Sequence, residues 1–281
     1  MQTKKQYLLP VLALAGGVLG FFLRRRQLFA AYNPYMEFFM EGVPETCLLL
    51  GVLAVVLLLL ALLVRGGQTP EDFLPLMHFD SAPPMALLGG SAALFVLAGV
   101  MELLHGRALL DQWRSAADAI PLNIPISVLL CGILCFLAAP ALLVMAMDAR
   151  KHQLTRKTCL LACAPAFAGL VWVFSIHLSN GVNPVLLDYG FLLAAACLLT
   201  LCQYYAAASL FDHICPRRMM FCGLSGTVLG FTAAADRLQL YHDVPAVVLM
   251  LALSLSALGW TLAAAPNVYG GRNSNSSHPE N

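Results

Sequence analysis

Cys47-Leu48-Leu49-Leu50-Gly51-Val52-Leu53-Ala54-Val55-Val56-Leu57-Leu58-Leu59-Leu60-Ala61-Leu62-Leu63-Val64 is 18 residues without a charge or a strong hydrogen-bonding side chain. Arg65 closes it on one side, and Pro44 and Glu45 open it on the other. A run of that length has the reach of a bilayer core, and only a helix satisfies its backbone polar groups there. Working outward from it, seven further stretches read as spans. The eight run over 7–23, 45–64, 85–104, 124–147, 158–178, 187–210, 217–235 and 245–264. The seventh and eighth are rich in small and hydroxyl residues and are the least apolar by eye. The fold class expected is all-α, a polytopic membrane helix bundle of about eight transmembrane helices in four helical hairpins. A single transmembrane domain is expected over 1–264, and a disordered cytoplasmic tail, rich in Asn, Ser and Gly, over 265–281.

The composition agrees. Of 281 residues, 60% are hydrophobic and 11% charged, the mean hydropathy is +0.78 and the net charge is +1. A soluble domain is about a quarter charged. These values exclude a soluble globular enzyme, a disordered chain and a basic nucleic-acid binder. The nine cysteines lie mostly inside apolar runs and read as small buried hydrophobes rather than a disulfide framework. Lys4 and Lys5 precede an apolar stretch that could be a signal peptide, but Arg24-Arg25-Arg26 follows with no small-residue cleavage site, so an uncleaved first helix is expected.

With the N-terminus inside, the inner segments hold ten basic and six acidic residues, net +4, and the outer ones six basic and nine acidic, net −3. That asymmetry puts both termini in the cytoplasm. Arg24 to Arg26, on the outer side, run against it.

A loose repeat runs along the chain. Three of the odd spans end in arginine with apolar neighbours, Arg26-Gln27-Leu28-Phe29, Arg107-Ala108-Leu109-Leu110 and Arg237-Leu238-Gln239-Leu240; the fifth, ending at Ser179-Asn180-Gly181, has none. A proline then precedes or opens each even span: Pro44, Pro121 or Pro125, Pro184 and Pro245. The arginine segments are expected to turn along the interface, and the prolines to start the returning helices. Tyr32, Tyr35, Phe38, Phe39, Trp113, Tyr241 and Trp260 are expected as interfacial anchors, and 73–84 as a segment on the membrane surface.

Ionisable residues inside spans are functional candidates by default. Glu102, Arg107, Asp188, Tyr189 and Asp236 all fall at the outer ends of spans, and they define the candidate ligand-binding set. Thr200, Gln203, Ser225 and Thr227 are the deeper polar groups, expected to bond between helices. Gly223-Leu224-Ser225-Gly226 looks like a rhomboid-protease serine motif. The next histidine, His242, is 17 residues on and about 25 Å along a helix. No catalytic residue is assigned. Gly226 and Gly230, like Gly16 and Gly20, read instead as small-residue packing faces. The pairs Cys131/Cys135 and Cys159/Cys163 fall on opposite sides of the membrane and cannot share an ion; His213, Cys215, Cys222 and Cys159 could approach one another. No metal site and no cofactor are assigned, and no nucleotide-binding motif is present.

Arg25-Arg26-Gln27-Leu28-Phe29-Ala30-Ala31-Tyr32-Asn33-Pro34, followed by Gly42-Val43-Pro44, resembles a group of polytopic membrane proteins of anaerobic Gram-positive bacteria. The likeness is an arginine–hydrophobic run and a Gly-x-Pro loop before the second helix, within residues 1 to about 60. The group has no assigned activity, so the resemblance implies a bacterial inner membrane and nothing about catalysis. Two function classes follow: a non-enzymatic small-molecule binder or permease-like protein, and a structural or regulatory subunit with a membrane-protein partner. The lipid bilayer is the partner expected in either case.

Overall fold

The computed structural model describes residues 2–33, 38–40, 42–66, 69–70, 72–77, 81–115, 120–181 and 186–269. Its elements are α1 (Gln2–Ala31), a two-residue ladder of β1 (Tyr32–Asn33) and β2 (Phe38–Phe39), α2 (Pro44–Val64), α3 (Phe73–Leu76), α4 (Ala82–Ser115), α5 (Asn123–Arg150), α6 (Arg156–Leu161), α7 (Ala164–Asn180), α8 (Leu186–Ala208), α9 (Pro216–Gln239) and α10 (Val244–Tyr269). Eight helical spans are long and apolar enough to cross a membrane, with α6 and α7 together forming one of them. The protein is an all-α bundle, and its exposed apolar helix faces are those of a multi-pass membrane protein in contact with lipid.

Local chemistry sets several boundaries. Pro44 and Pro216 open α2 and α9, where a missing N–H costs nothing. Pro184 lies outside the described residues. Thr155 caps α6 by accepting from the Thr158 N–H, and its hydroxyl and that of Thr158 also engage Asp148. The break between α6 and α7 follows from Pro165, which has no N–H to give the carbonyl four residues back.

Consecutive spans pack as the four expected hairpins, but they are not separate units. α9 meets α8 and α1 more extensively than its own hairpin partner α10, and α10 lies along α4. α9 has the lowest mean hydropathy of the spans, 1.2 against 3.4 for α2, and it is the most buried. A helix whose neighbours are other helices needs small residues more than greasy ones. Gly17 faces Phe231, Gly20 faces Thr232, and Arg24 faces Asp236. α1 and α9 therefore run parallel, in register, four residues for four. A Cβ on Gly16 would meet Val56, one on Gly226 would reach the Leu199 backbone nitrogen at 3.0 Å, and one on Gly230 would meet Met250. These glycines are the packing faces their spacing indicates. Gly99 of α4 and Gly132 of α5 bring two backbones together: a Cβ on either would lie 3.0–3.1 Å from the other's carbonyl oxygen.

Three local expectations are corrected. The arginine-bearing segments do not turn along the interface. They continue their helices to Ala31, Ser115 and Gln239. α4, at 34 residues, is about 50 Å long and overshoots a hydrocarbon core of about 30 Å. Residues 73–77 are not spread on a surface either. Phe73, Leu76 and Met77 are buried, and Asn267 Nδ2 donates to the Leu76 carbonyl. The last helix also passes the expected boundary at 264. It runs to Tyr269, whose hydroxyl donates to the Val64 carbonyl. Residues 270–281 of the expected tail lie outside the described residues.

Candidate functional site

The end of the bundle where α1, α4, α7 and α9 finish, here the distal end, gathers most of the buried charge. Arg24 is 0% exposed. Its Nε donates to Asp236 Oδ1 at 2.7 Å, its Nη1 to Gln27 Oε1 at 2.6 Å, and its Nη2 to the Leu187 carbonyl at 2.7 Å. Gln27 Nε2 passes the chain on to Thr46 Oγ1 at 2.7 Å. One guanidinium thus joins α1 to α9 and α8 directly, and to α2 through Gln27. Two rings cover it: Phe39 with its centroid 4.6 Å away and Phe191 at 5.1 Å. The β1–β2 ladder, with Met40 N–H donating to the Ala31 carbonyl, holds Phe39 in that place. A buried arginine survives only when its donors are satisfied, and each nitrogen of this one has an acceptor.

Beside this lock lies a second charged group on the turn from α9 to α10. Arg237 Nη1 is 3.7 Å from Asp243 Oδ2, and its guanidinium lies 4.4 Å from the Tyr241 ring centroid. Asp243 Oδ1 accepts the Ala246 N–H at 3.2 Å and so caps α10. Glu102 of α4 is 6% exposed. Its carboxylate is close enough to Asp243 to feel its charge. Among the described residues Glu102 has no hydrogen-bond or ion-pair partner. It extends the buried stripe of Leu88, Phe95 and Gly99, which places it where α4, α5 and the start of α10 meet.

The five residues singled out by sequence are distributed unevenly here. Asp236 is buried and held by Arg24. Glu102 is buried on α4. Arg107 is exposed; five residues past Glu102 it stands about 140° around the helix, facing away. Tyr189 is half-buried, two residues from the Leu187 carbonyl that Arg24 uses. Asp188 stands on α8, and its side chain lies outside the described part of the structure. Arg24, Gln27, Arg237 and Asp243 were not in that set. The signal for Arg24 was in its spacing: Gly16, Gly20 and Arg24 stand four apart on one helical face.

Two aromatic residues read as interfacial anchors are core residues. Phe39 stacks on Arg24, and Trp260 is fully buried, its Nε1 donating to Gln203 Oε1 at 3.2 Å. Gln203 Nε2 donates to Ser256 Oγ at 2.5 Å, so Gln203 bonds between helices as its depth suggests. Ser225 is buried, and its hydroxyl has no hydrogen-bond partner, histidine or other, among the described residues. Among the described residues no group of three or more His, Cys, Asp or Glu could hold a metal ion. His213 and Cys215 are 3.7 Å apart, without a third ligand.

Comparison with protein-family models, with curated proteins and with solved structures finds no significant match for the chain.

Proposed function

We propose that this multi-pass membrane protein is a non-enzymatic, permease-like binder of a small cationic solute, taken up at the distal end of the bundle. The single observation behind the reading is Glu102, a carboxylate buried on α4 with no hydrogen-bond or ion-pair partner among the described residues. A charge in that position is costly, and a cation from outside relieves the cost. Tyr189 and Asp188, in the first turn of α8 at the same end of the bundle, are proposed as the rest of the site. Asp236 serves it by holding α9 in place; Arg107, a cation turned away from Glu102, has no part in a site for a cationic solute. The expected result is that one or more organic ammonium solutes raise the unfolding temperature of the purified protein, and that Glu102→Gln abolishes the rise while leaving the unliganded protein folded. A broad panel with no response would remove the reading.

A structural or regulatory subunit is the second reading. It is favoured by Arg24, which is fully buried and has all three of its nitrogens bonded within the bundle, joining α1 to α8 and α9. It predicts co-purification with another membrane protein from native membranes.

The membrane is proposed to be a bacterial inner membrane, with both termini cytoplasmic and the distal end outward, on the balance of basic residues between the two sides. Ser115 and Gln153 are exposed and lie at opposite ends of the bundle. With accessible cysteines removed, a cysteine at position 115 is expected to react with a membrane-impermeant thiol reagent on intact cells, and one at 153 is not. The reverse pattern would turn the bundle over and put Glu102 on the cytoplasmic side.

A further inference from the structure

At the opposite, proximal end, α7 and α8 part to leave a groove of 510 Å³ lined by Cys163, Phe167, Leu170, Leu201, Tyr204 and His213, among others. Phe167, Leu170, Leu201 and Tyr204 are exposed, so the groove opens sideways, toward the bilayer rather than into the bundle. It runs from Phe211 to Thr200, roughly 17 Å along α8 and the tight turn that follows it. Its walls are predominantly apolar, and His213 stands at its proximal end. The backbone fixes His213 there. Its N–H donates at 3.2 Å to the carbonyl of Ala208, another lining residue, and Asp212, in the left-handed region at φ +60°, turns the chain between them. The ring of His213 reaches a nucleophile: Nε2 is 3.7 Å from Cys215 Sγ, a hydrogen-bonding distance for sulfur. Cys215 is half-buried, and Pro216 after it opens α9, so the thiol is held where the chain re-enters the membrane. Cys47 differs. It is an exposed thiol lining a second apolar depression, between α1 and α2, but among the described residues no hydrogen-bonding group stands beside it.

A thiol paired with an imidazole is a nucleophile with its base at hand. Here the same imidazole lines an apolar groove that is open to lipid, so whatever the sulfur takes up has an apolar place to lie. We propose that Cys215 is a site of S-acylation, and that the long acyl chain attached to it occupies the α7–α8 groove. The Cys215 thiol gives its proton to His213 Nε2. The sulfur attacks the carbonyl carbon of a long-chain acyl thioester, such as an acyl-coenzyme A. The bond between that carbon and the donor's sulfur breaks, and the donor's sulfur leaves with the proton from His213. One thioester replaces another, and nothing is oxidised or reduced. The product is favoured by the seating of the chain in the groove. This assignment is independent of the distal site and of the solute proposed for it.

The experiment incubates the full chain in detergent with palmitoyl-coenzyme A or with acetyl-coenzyme A and follows it by intact-protein mass spectrometry. One palmitoyl group per chain is expected, mapping to Cys215 and released by neutral hydroxylamine, which cleaves thioesters. Cys215→Ser is expected to abolish it. His213→Gln is expected to slow it about a hundredfold, the share of a positioned base, with the unfolding temperature unchanged. Ala166→Trp fills the groove from the α7 side and Leu201→Trp from the α8 side. Either is expected to slow palmitoyl transfer about tenfold and to leave acetyl transfer as it is, since an acetyl group has no chain to place. The acetyl reaction also reports that the Cys215–His213 pair is intact in each variant. Palmitoylation of Cys47 or Cys163 as fast as that of Cys215 would overturn the proposal, since it would mean ordinary thiol reactivity. A chain that stays unmodified would overturn it as well. So would palmitoyl transfer that neither tryptophan slows, by leaving the groove without a part in the reaction.

Discussion

Replacing Arg24 with alanine is expected to destabilise the folded bundle by about 3–5 kcal/mol, the cost of breaking a buried ion pair from one side. The Asp236 carboxylate would remain in a site almost closed to solvent, and the Leu187 carbonyl and Gln27 amide oxygen would lose their donor. The membrane sharpens the argument rather than softening it. In the unfolded but inserted chain, Arg24 stands near a helix end and can reach headgroup water, so burial in the bundle is tolerated only because the partners are there. Arg24→Lys keeps the charge but cannot serve three diverging acceptors, and is expected to fall between the wild type and the alanine variant. The double variant Arg24→Met with Asp236→Leu removes both charges and is expected to recover much of the loss. Reversible unfolding in mixed micelles, run as a double-mutant cycle, measures the coupling. A loss below about 0.5 kcal/mol for Arg24→Ala, the size of an ordinary surface substitution, would show that the pair holds nothing together.

Trp260→Ala is the second large effect expected, about 3 kcal/mol. Truncating a buried aromatic costs about 3–5 kcal/mol in a water-soluble core. Part of that range is transfer from water, and it falls away here because the inserted, unpacked helix already sits in hydrocarbon. What remains is the cavity between α10 and its neighbours and the loss of the donor to Gln203 Oε1. Trp260→Phe separates the two contributions. It keeps most of the volume and leaves the amide oxygen unpaired, which is worth about 1–3 kcal/mol when the site stays dry. Should the phenylalanine variant match the wild type in the same unfolding assay, the hydrogen bond is not part of what Trp260 contributes.

The number, order and approximate limits of the spans were legible because hydropathy over 20 residues is a property of the segment alone. Small residues four apart were legible for the same reason. The lesser hydropathy of the seventh and eighth stretches was read as a weaker claim to be spans. In the bundle it holds for α9, at 1.2 the lowest of the spans and the most buried, since a span surrounded by protein has no lipid to match; α10, at 2.0, is above α1 and α8 although it is nearly as interior as α9. In the sequence Arg24, Arg25 and Arg26 read as one block of headgroup charge. Neighbours on a helix point about 100° apart, so one of the three could be buried while the others faced out. Its partner lies on the seventh span, and nothing local in the sequence names it. Trp260 and Gln203 are likewise joined only by the packing of α8 on α10. At the candidate site, Glu102 and Asp236 were legible as charges near the ends of their spans. Nothing in the sequence reveals that Asp236 is held by Arg24 and that Glu102 is buried.

Arg24 and Asp236 stand 212 residues apart in the chain. Synthesis delivers α1 to the membrane first and α9 almost last. Throughout that interval the arginine has no counter-ion, and the helix that will supply one is the span least able to enter lipid by its own hydropathy. Closure of the pair therefore cannot guide early assembly; it can only register its completion. A chain stalled before its seventh span leaves an uncompensated cation at the distal end, a mark by which membrane proteases could tell an unfinished copy from a finished one.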